Sequence, residues 1–372
     1  MRACELAVGL VAAGENWPDA VQAAEHALAD PVCRGSASCV SKALGALVCA
    51  GELVVADAHS IAVLDESPDD RALAEHVLLV RAQVARRTGD LTRCAALLEA
   101  LRDNGAEDGI RPEVLFWSVE VLVALGEPRA AEAVLRGHGG SGALLLAAEA
   151  VVAMAAGRPD DALTAHLAFG QATGVVNPAV LPWRAWASRA ALACGDTGLA
   201  CRLAAEEHAA ACRWGEPRAL GTSLAAVAAC SSGGEALVAY ERAIRLLELA
   251  HARAELAHVL CDYADHLTAQ GKQAGEIYDR ARATALDIGH EVLVRRCGTV
   301  RGEAPALTPV ETEVVRLVRA GLANREVAAR LAMATRTVEL HLTRVYRKLG
   351  LSGRRELRTL RTHRGASDGF PA

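Results

Sequence analysis

The chain reads as all-α, a helical repeat array followed by a compact helix-turn-helix. Three observations carry that reading. Glycines recur at 14, 51, 89, 126, 157, 195, 233 and 271, spaced 37, 38, 37, 31, 38, 38 and 38 residues apart, and so steady a period marks an internal repeat. The segments between them are rich in Ala and Leu and poor in β-branched and aromatic runs, as helices prefer. Residues 307–361 hold twelve Arg or Lys against five Asp or Glu, whereas residues 1–306 hold 27 against 39. The overall charge of −5 therefore hides one basic module.

Within the array, most of the glycines are followed by an acidic or turn-forming residue: Gly51-Glu52, Gly89-Asp90, Gly126-Glu127-Pro128, Gly157-Arg158-Pro159 and Gly195-Asp196. Several of these turns lead into an alanine-leucine helix, as at 94–98, 130–135 and 162–163. Two helices of about twelve to sixteen residues and two turns would fill such a unit, which is similar to tetratricopeptide repeats though longer than their ~34 residues. Stacked pairs bury one continuous core and leave a concave surface. A non-repetitive helical bundle is the alternative architecture. Long amphipathic stretches close the array at 240–247 and 277–282.

Residues 298–306 hold two glycines and Pro305, and are expected to form a short linker that permits relative motion. Beyond it, Thr308 is placed to cap a helix, Pro309 takes the first helical position, and Glu311 completes a capping box. Val314, Val315, Leu317 and Val318 follow as an apolar stripe, ended by Gly321. Asn324 is placed to cap a second helix with Val327, Ala328 and Leu331 on one face. A tight Ala332-Met333-Ala334 connection leads to a third helix, roughly 335–349. Two short helices joined by such a turn make the motif. At about 100° per residue, Val338, Leu342, Val345 and Leu349 share the inner face of that third helix. Arg336, Leu340, Thr343 and Arg347 look outward, flanked by Arg344, Lys348 and Thr337 on one side and Glu339 on the other. This is the chemistry of a major-groove reader, with base-edge contacts near the helix N-terminus and a basic C-terminal half for phosphates. Glu339 can accept from a cytosine amino group and Leu340 can pack on a thymine methyl. A solvated charged face is the plainer explanation of the arginines, but a basic footprint confined to this segment favours nucleic acid.

The pattern LTPxExEVxxLxxxGLxNxEVAxxLxxxxxTVExHLxxVYxKLGL resembles the LuxR-type DNA-binding domain at nearly every characteristic position. The resemblance covers about fifty-five residues, 307–361. It implies a four-helix domain that binds double-stranded DNA as a homodimer through a fourth helix, here 353–361. It places base reading on Glu339, Leu340 and Thr343, and backbone contacts on Asn324, Arg325, Thr337, Arg344 and Lys348. With Thr335, Arg336 and Arg347 these make the candidate interface. The family opens its recognition helix with Ser where this chain has Ala334, removing a cap worth about 0.5–2 kcal/mol unless Thr335 serves. Residues 233–297 resemble the helical repeats that precede this domain in the large ATP-dependent LuxR-type regulators. No GxxxxGK[ST] loop occurs, and Gly271-Lys272 lacks both the leading glycine and the following Ser or Thr, so the resemblance is to that family without its ATPase. The start near the first repeat turn fits either a short natural relative or a piece of a longer protein.

Other chemistry finds little support. Eleven cysteines without a CxxC pair argue against a disulfide framework or structural zinc and fit a reducing cytoplasm, and so a cytoplasmic, nucleoid-associated protein. Cys33 and Cys39 suggest a redox or metal sensor, but buried thiols in an alanine-rich array explain them better. Neither HExxH nor GxSxG occurs, so no enzyme activity and no cofactor are expected. His251 and His258 lie seven apart on a predicted helix and read as surface residues; His341 reads as a packing or phosphate-facing residue. Trp183 and Trp186 fit helix packing better than a ligand pocket. The apolar run at 6–13 is too short, and follows Glu5, to be expected as a secretory leader; no stretch approaches the ~20 apolar residues of a membrane span. Arginines outnumber lysines 37 to 3, which suggests a GC-rich, bacterial source. The residues 362–372 lack periodicity and are expected to be disordered. The competing function is an interaction scaffold or anti-regulator whose array is the working surface and whose helix-turn-helix binds DNA weakly.

Overall fold

A computed structural model describes residues 3–67, 69–137, 142–300, 307–331 and 333–349, together with Gly353, Arg354 and Leu357. The chain divides into two compact units, Met1–Cys297 and Gly298–Ala372. Every regular element among the described residues is a helix.

The first unit is built from eight helix pairs. They are α1 (Ala3–Ala13) with α2 (Trp17–Ala29); then, after a single turn α3 (Pro31–Arg34), α4 (Ala37–Cys49) with α5 (Leu53–Glu66); and α6 (Arg71–Thr88) with α7 (Leu91–Asp103). Next come α8 (Arg111–Ala124) with α9 (Pro128–Gly137), α10 (Ala143–Ala155) with α11 (Pro159–Thr173), and α12 (Trp183–Ala193) with α13 (Thr197–Trp214). The last are α14 (Pro217–Cys230) with α15 (Gly233–Leu249), and α16 (Arg253–Ala269) with α17 (Gly275–Asp287), followed by α18 (Glu291–Val300). The lengths run from 10 to 18 residues in these pairs, a wider spread than the repeat length implied.

Seven of the eight period glycines fall between the two helices of a pair and the eighth, Gly233, opens the second helix of its pair; each has positive φ, from +63° at Gly233 to +89° at Gly89. The Gly-Asp turns show why. After Gly89 takes the left-handed conformation, the Asp90 N–H closes on the Ala85 carbonyl (2.8 Å), and the Asp90 carboxylate accepts from the Arg93 N–H (3.0 Å). Gly195-Asp196 repeats this with Ala191 (2.9 Å) and Leu199 (2.9 Å). Two residues thus end one helix and cap the next. Gly233 departs from the pattern, because it opens α15 after Ser232 rather than following the end of α14. The short 126–157 interval coincides with α9, which has only 10 residues.

Small residues set the helix separation. Trp183 lies flat on Gly170, where an added Cβ would sit 2.3 Å from the ring, and its Nε1 donates to the Val175 carbonyl at 2.9 Å. Trp186 packs between Phe116 and His166. Both tryptophans anchor helices, as their spacing suggested.

Parts of the inner side of the array are occupied. The segment after α11 passes inward: Asn177 Nδ2 donates to the Val11 carbonyl (2.8 Å), and Arg87 and Arg218 each donate to the Ala179 carbonyl (3.0 Å). Gly215 abuts Trp17, and α6 packs against α16. At the centre, Arg86 lies 3.6 Å from Glu120 and 3.9 Å from Glu255, and Arg218 lies 3.4 Å from Glu255. The inner face is therefore filled by the array's own charged side chains at these positions. A period in sequence reports neighbours along the stack, whereas curling depends on contacts between residues up to 166 apart.

Three further expectations are corrected. His251 sits in the turn before α16 with φ +50°, not on the helix. His258 is half-buried rather than fully on the surface, with its Nε2 facing that of His290 at 3.1 Å. Helix α18 continues through Val300, so residues 298–300 are helical rather than linker; residues 301–306 lie outside the described residues, as does the 362–372 tail.

Candidate nucleic-acid interface

The second unit starts with α19 (Pro309–Arg319). The predicted capping box is present: the Glu311 N–H donates to Thr308 Oγ1 (3.1 Å) and the Thr308 N–H to Glu311 Oε2 (2.8 Å). Glu311 is buried, so this reciprocal pair is protected from water. Gly321, at φ +95°, follows the helix, and the Leu322 N–H reaches back to the Leu317 carbonyl (3.2 Å).

Helix α20 (Asn324–Arg330) begins one residue away from the expected cap. Ala323 is the capping position, in extended conformation, and its N–H donates to Glu326 Oε2 at 2.6 Å. Alanine offers no acceptor, so only half of a capping box forms. Asn324 is instead the first helical residue. Its Oδ1 accepts from Arg354 Nη1 at 2.6 Å, and Arg354 also binds the Leu322 carbonyl. Arg354, from the predicted fourth-helix segment, therefore ties that segment to the start of α20. Sequence reasoning missed it; the fixed spacing to a helix start thirty residues upstream carries no local signal. Most of the predicted helix 353–361 lies outside the described residues.

Helix α21 (Thr335–Leu349) presents two faces, as its periodicity predicts. Val338, Leu342 and Val345 are buried with Val314, Leu317, Val318, Val327, Ala328 and Leu357 in one core. On the other side Thr335, Arg336, Glu339, Leu340 and Thr343 are exposed, as is Arg325 on α20. Leu340 is 44% exposed and lies on that same outer face. Thr343 Oγ1 donates to the Glu339 carbonyl (2.9 Å), which orients its methyl and hydroxyl on that face. Asn324, Thr337 and Arg344 are half-buried at its edge, and Arg344 Nε–H is enclosed without an acceptor among the described residues. Arg347 and Lys348 lie in α21, but their side chains are outside the described residues. The Ala334 carbonyl accepts from Thr337 and Val338 N–H (3.0 and 3.2 Å), so the helix starts at Thr335 with no side-chain oxygen at the position before it.

Three short helices about one core, with the third turning an exposed polar and basic face to solvent, define a helix-turn-helix module of the DNA-binding class. Residues 305–360 match the family of bacterial regulatory proteins of the luxR type, and this segment is a LuxR-family helix-turn-helix domain. The chain is 40% identical over 112 residues to proteins of Mycobacterium bovis and Mycobacterium tuberculosis, each carrying the name of an HTH-type transcriptional regulator; the match covers 28% of this chain. The chain spans only 13% of the length of those relatives. Among solved structures, a Rap protein complexed with competence and sporulation factor is similar at 12% identity and a TM-score of 0.49, over 87% of this chain and 96% of that one. BtubC from P. vanneervenii is similar at 16% identity and a TM-score of 0.35, over 55% and 91%. No helix among the described residues is long and apolar enough to cross a membrane.

Proposed function

We propose that the protein is a sequence-specific transcriptional regulator, in which residues 307–361 read an inverted-repeat operator as a dimer and the helical repeats of residues 1–297 control how the two readers are presented. The observation that carries this reading is the exposed face of α21, where Glu339, Leu340 and Thr343 stand clear of a core that holds the helix rigid. A reader needs base-edge side chains on a fixed scaffold, with cations beside them for phosphates. Activation of transcription is the direction that the LuxR family resemblance favours. The repeats are the place for a protein or small-molecule effector.

Selection of duplexes bound by the full chain from a random pool tests the proposal, followed by titration of the enriched duplex against salt. The expected result is an enriched palindrome with half-sites about one helical turn apart. Its affinity should fall by several powers of the salt concentration, roughly one per phosphate neutralised. Weak, sequence-independent binding by both the full chain and residues 300–372 would reject the reader in favour of the scaffold.

A further inference from the structure

Three cysteines meet where the first helix pair adjoins the second. Cys4 comes from α1, Cys33 from the single turn α3 and Cys39 from the first turn of α4, and their Sγ atoms all lie within 4.8 Å of one another. They are 0%, 2% and 4% exposed. Cys4 and Cys39 approach to 2.8 Å between sulfurs, closer than unbonded sulfur atoms ordinarily rest. The short turn α3 is built to deliver the third thiol. Asp30 caps it by accepting from the Val32 N–H (3.0 Å), Pro31 opens it, and Arg34 at its end pairs with Glu66 at 2.6 Å while Cys33 turns inward. Core packing asks only for small apolar groups here; it does not require three sulfurs converging on one point.

We propose that Cys4, Cys33 and Cys39 form a three-thiol binding site for a trivalent thiophilic metalloid, arsenite being the representative ligand. Sulfur ligands select soft acceptors, and the number and charge of the ligands choose among them. Zinc takes four ligands in such sites, and among the described residues no fourth Cys, His, Asp or Glu joins the cluster. A divalent ion held by three thiolates would also leave a net negative charge in an apolar core, which is costly to bury. That charge would lie close to Glu5, which is already paired with Lys42 at 2.6 Å, and to Asp30. Burial, the Cys39 and Cys4 thiols and the Asp30 carboxylate push the Cys33 thiol up to about 12, so losing protons to solvent is opposed. Arsenous acid avoids both penalties. Three As–O bonds break and three As–S bonds form; each thiol proton leaves with a hydroxyl as water, nothing is oxidised or reduced, and the product is neutral.

The reduced full-length chain, incubated with sodium arsenite and desalted, is to be examined by native mass spectrometry and by alkylation after denaturation. The expected result is one arsenic per chain with Cys4, Cys33 and Cys39 protected from alkylation. Cys4→Ala, Cys33→Ala and Cys39→Ala should each lose the arsenic, while Cys212→Ala, at an exposed position, retains it. The protection pattern is read on the unaltered protein, so it stands even if a core variant fails to fold. Absence of arsenic overturns the proposal. So does protection of other cysteines, such as Cys261 and Cys297, whose sulfurs lie 2.9 Å apart, and so does stoichiometric zinc with arsenite excluded. None of these readouts depends on DNA binding.

Discussion

Two leucines of one helix show how position rather than residue type decides a role. Leu340 and Leu342 are two apart on α21, yet one is 44% exposed and the other 3%. Truncating Leu342 leaves a hole in a nine-residue core, so Leu342→Ala should destabilise the reader by about 2–5 kcal/mol. Leu340→Ala should change stability by less than about 0.5 kcal/mol while relaxing preference at one operator position by about 1–3 kcal/mol. Denaturant melts followed at the reader, together with binding to single-base operator variants, separate the two; equal loss of stability in both variants would remove Leu340 from the interface. The two faces were legible because a 3.6-residue period assigns inside and outside without any knowledge of partners. Asn324 was legible only in part. Whether a polar residue before a helix caps it or begins it depends on a single pair of dihedral angles, and here Ala323 holds the extended conformation.

The turns are the elements where sequence and structure agree most closely, because a left-handed residue is nearly the signature of glycine. Their energetics are not uniform, however, and that difference is tertiary. An added Cβ at Gly157 would meet nothing within 4 Å, whereas at Gly89 it would sit 2.5 Å from Ile288 Cγ2 and 3.3 Å from Arg253 Cβ. Gly157→Ala should therefore cost about 1–2 kcal/mol of backbone strain alone. Gly89→Ala should cost more, since overpacking of about 1–3 kcal/mol adds to the same strain. Urea titrations of the two variants at one pH check this, and a Gly157 variant as damaging as the Gly89 variant would contradict the packing described. Helix lengths were less legible than turns: alanine-rich segments extend or stop according to what they pack on, as 10-residue α9 and 18-residue α13 show.

For the whole molecule, the charged centre of the array is the main surprise. Glu255 serves both Arg86 and Arg218, and these cations hold its carboxyl below the ordinary range against the opposing effect of burial. Glu255→Ala leaves two enclosed guanidinium groups short of a counter-charge, and loss of about 3–5 kcal/mol is expected; a change under about 1 kcal/mol in chemical denaturation would show that the network is wet. Acid provides a second global test. Burial lowers His166 to about 4, and His290 likewise to about 4. A depressed folded pKa contributes stability above the ordinary value near 6.5 that is lost as pH falls through about 4. Glu207, pushed up to about 7 by burial despite Arg184, acts in the opposite sense, its contribution being lost as pH rises through 7. The comparison must therefore be made within one pair of proteins. Between pH 7 and pH 4 the parent should lose more stability than His166→Phe, by up to about 3 kcal/mol; parallel stability curves would reject a buried, neutral His166.

The sequence by itself determined the helical class, the eightfold turn pattern, the capping box at Thr308 and the two faces of the reading helix. Each is a local property, set by dihedral preference, hydrogen-bond capping or periodicity within a few residues. Only the tertiary structure decided that the array folds back through Asn177 and Ala179, that Arg354 secures Asn324, that His258 meets His290, and that Cys4 joins Cys33 and Cys39. These contacts join residues 29 to 166 positions apart. Chain separation of that order leaves no trace in local spacing, because what brings such residues together is the burial of surfaces contributed by the whole stack.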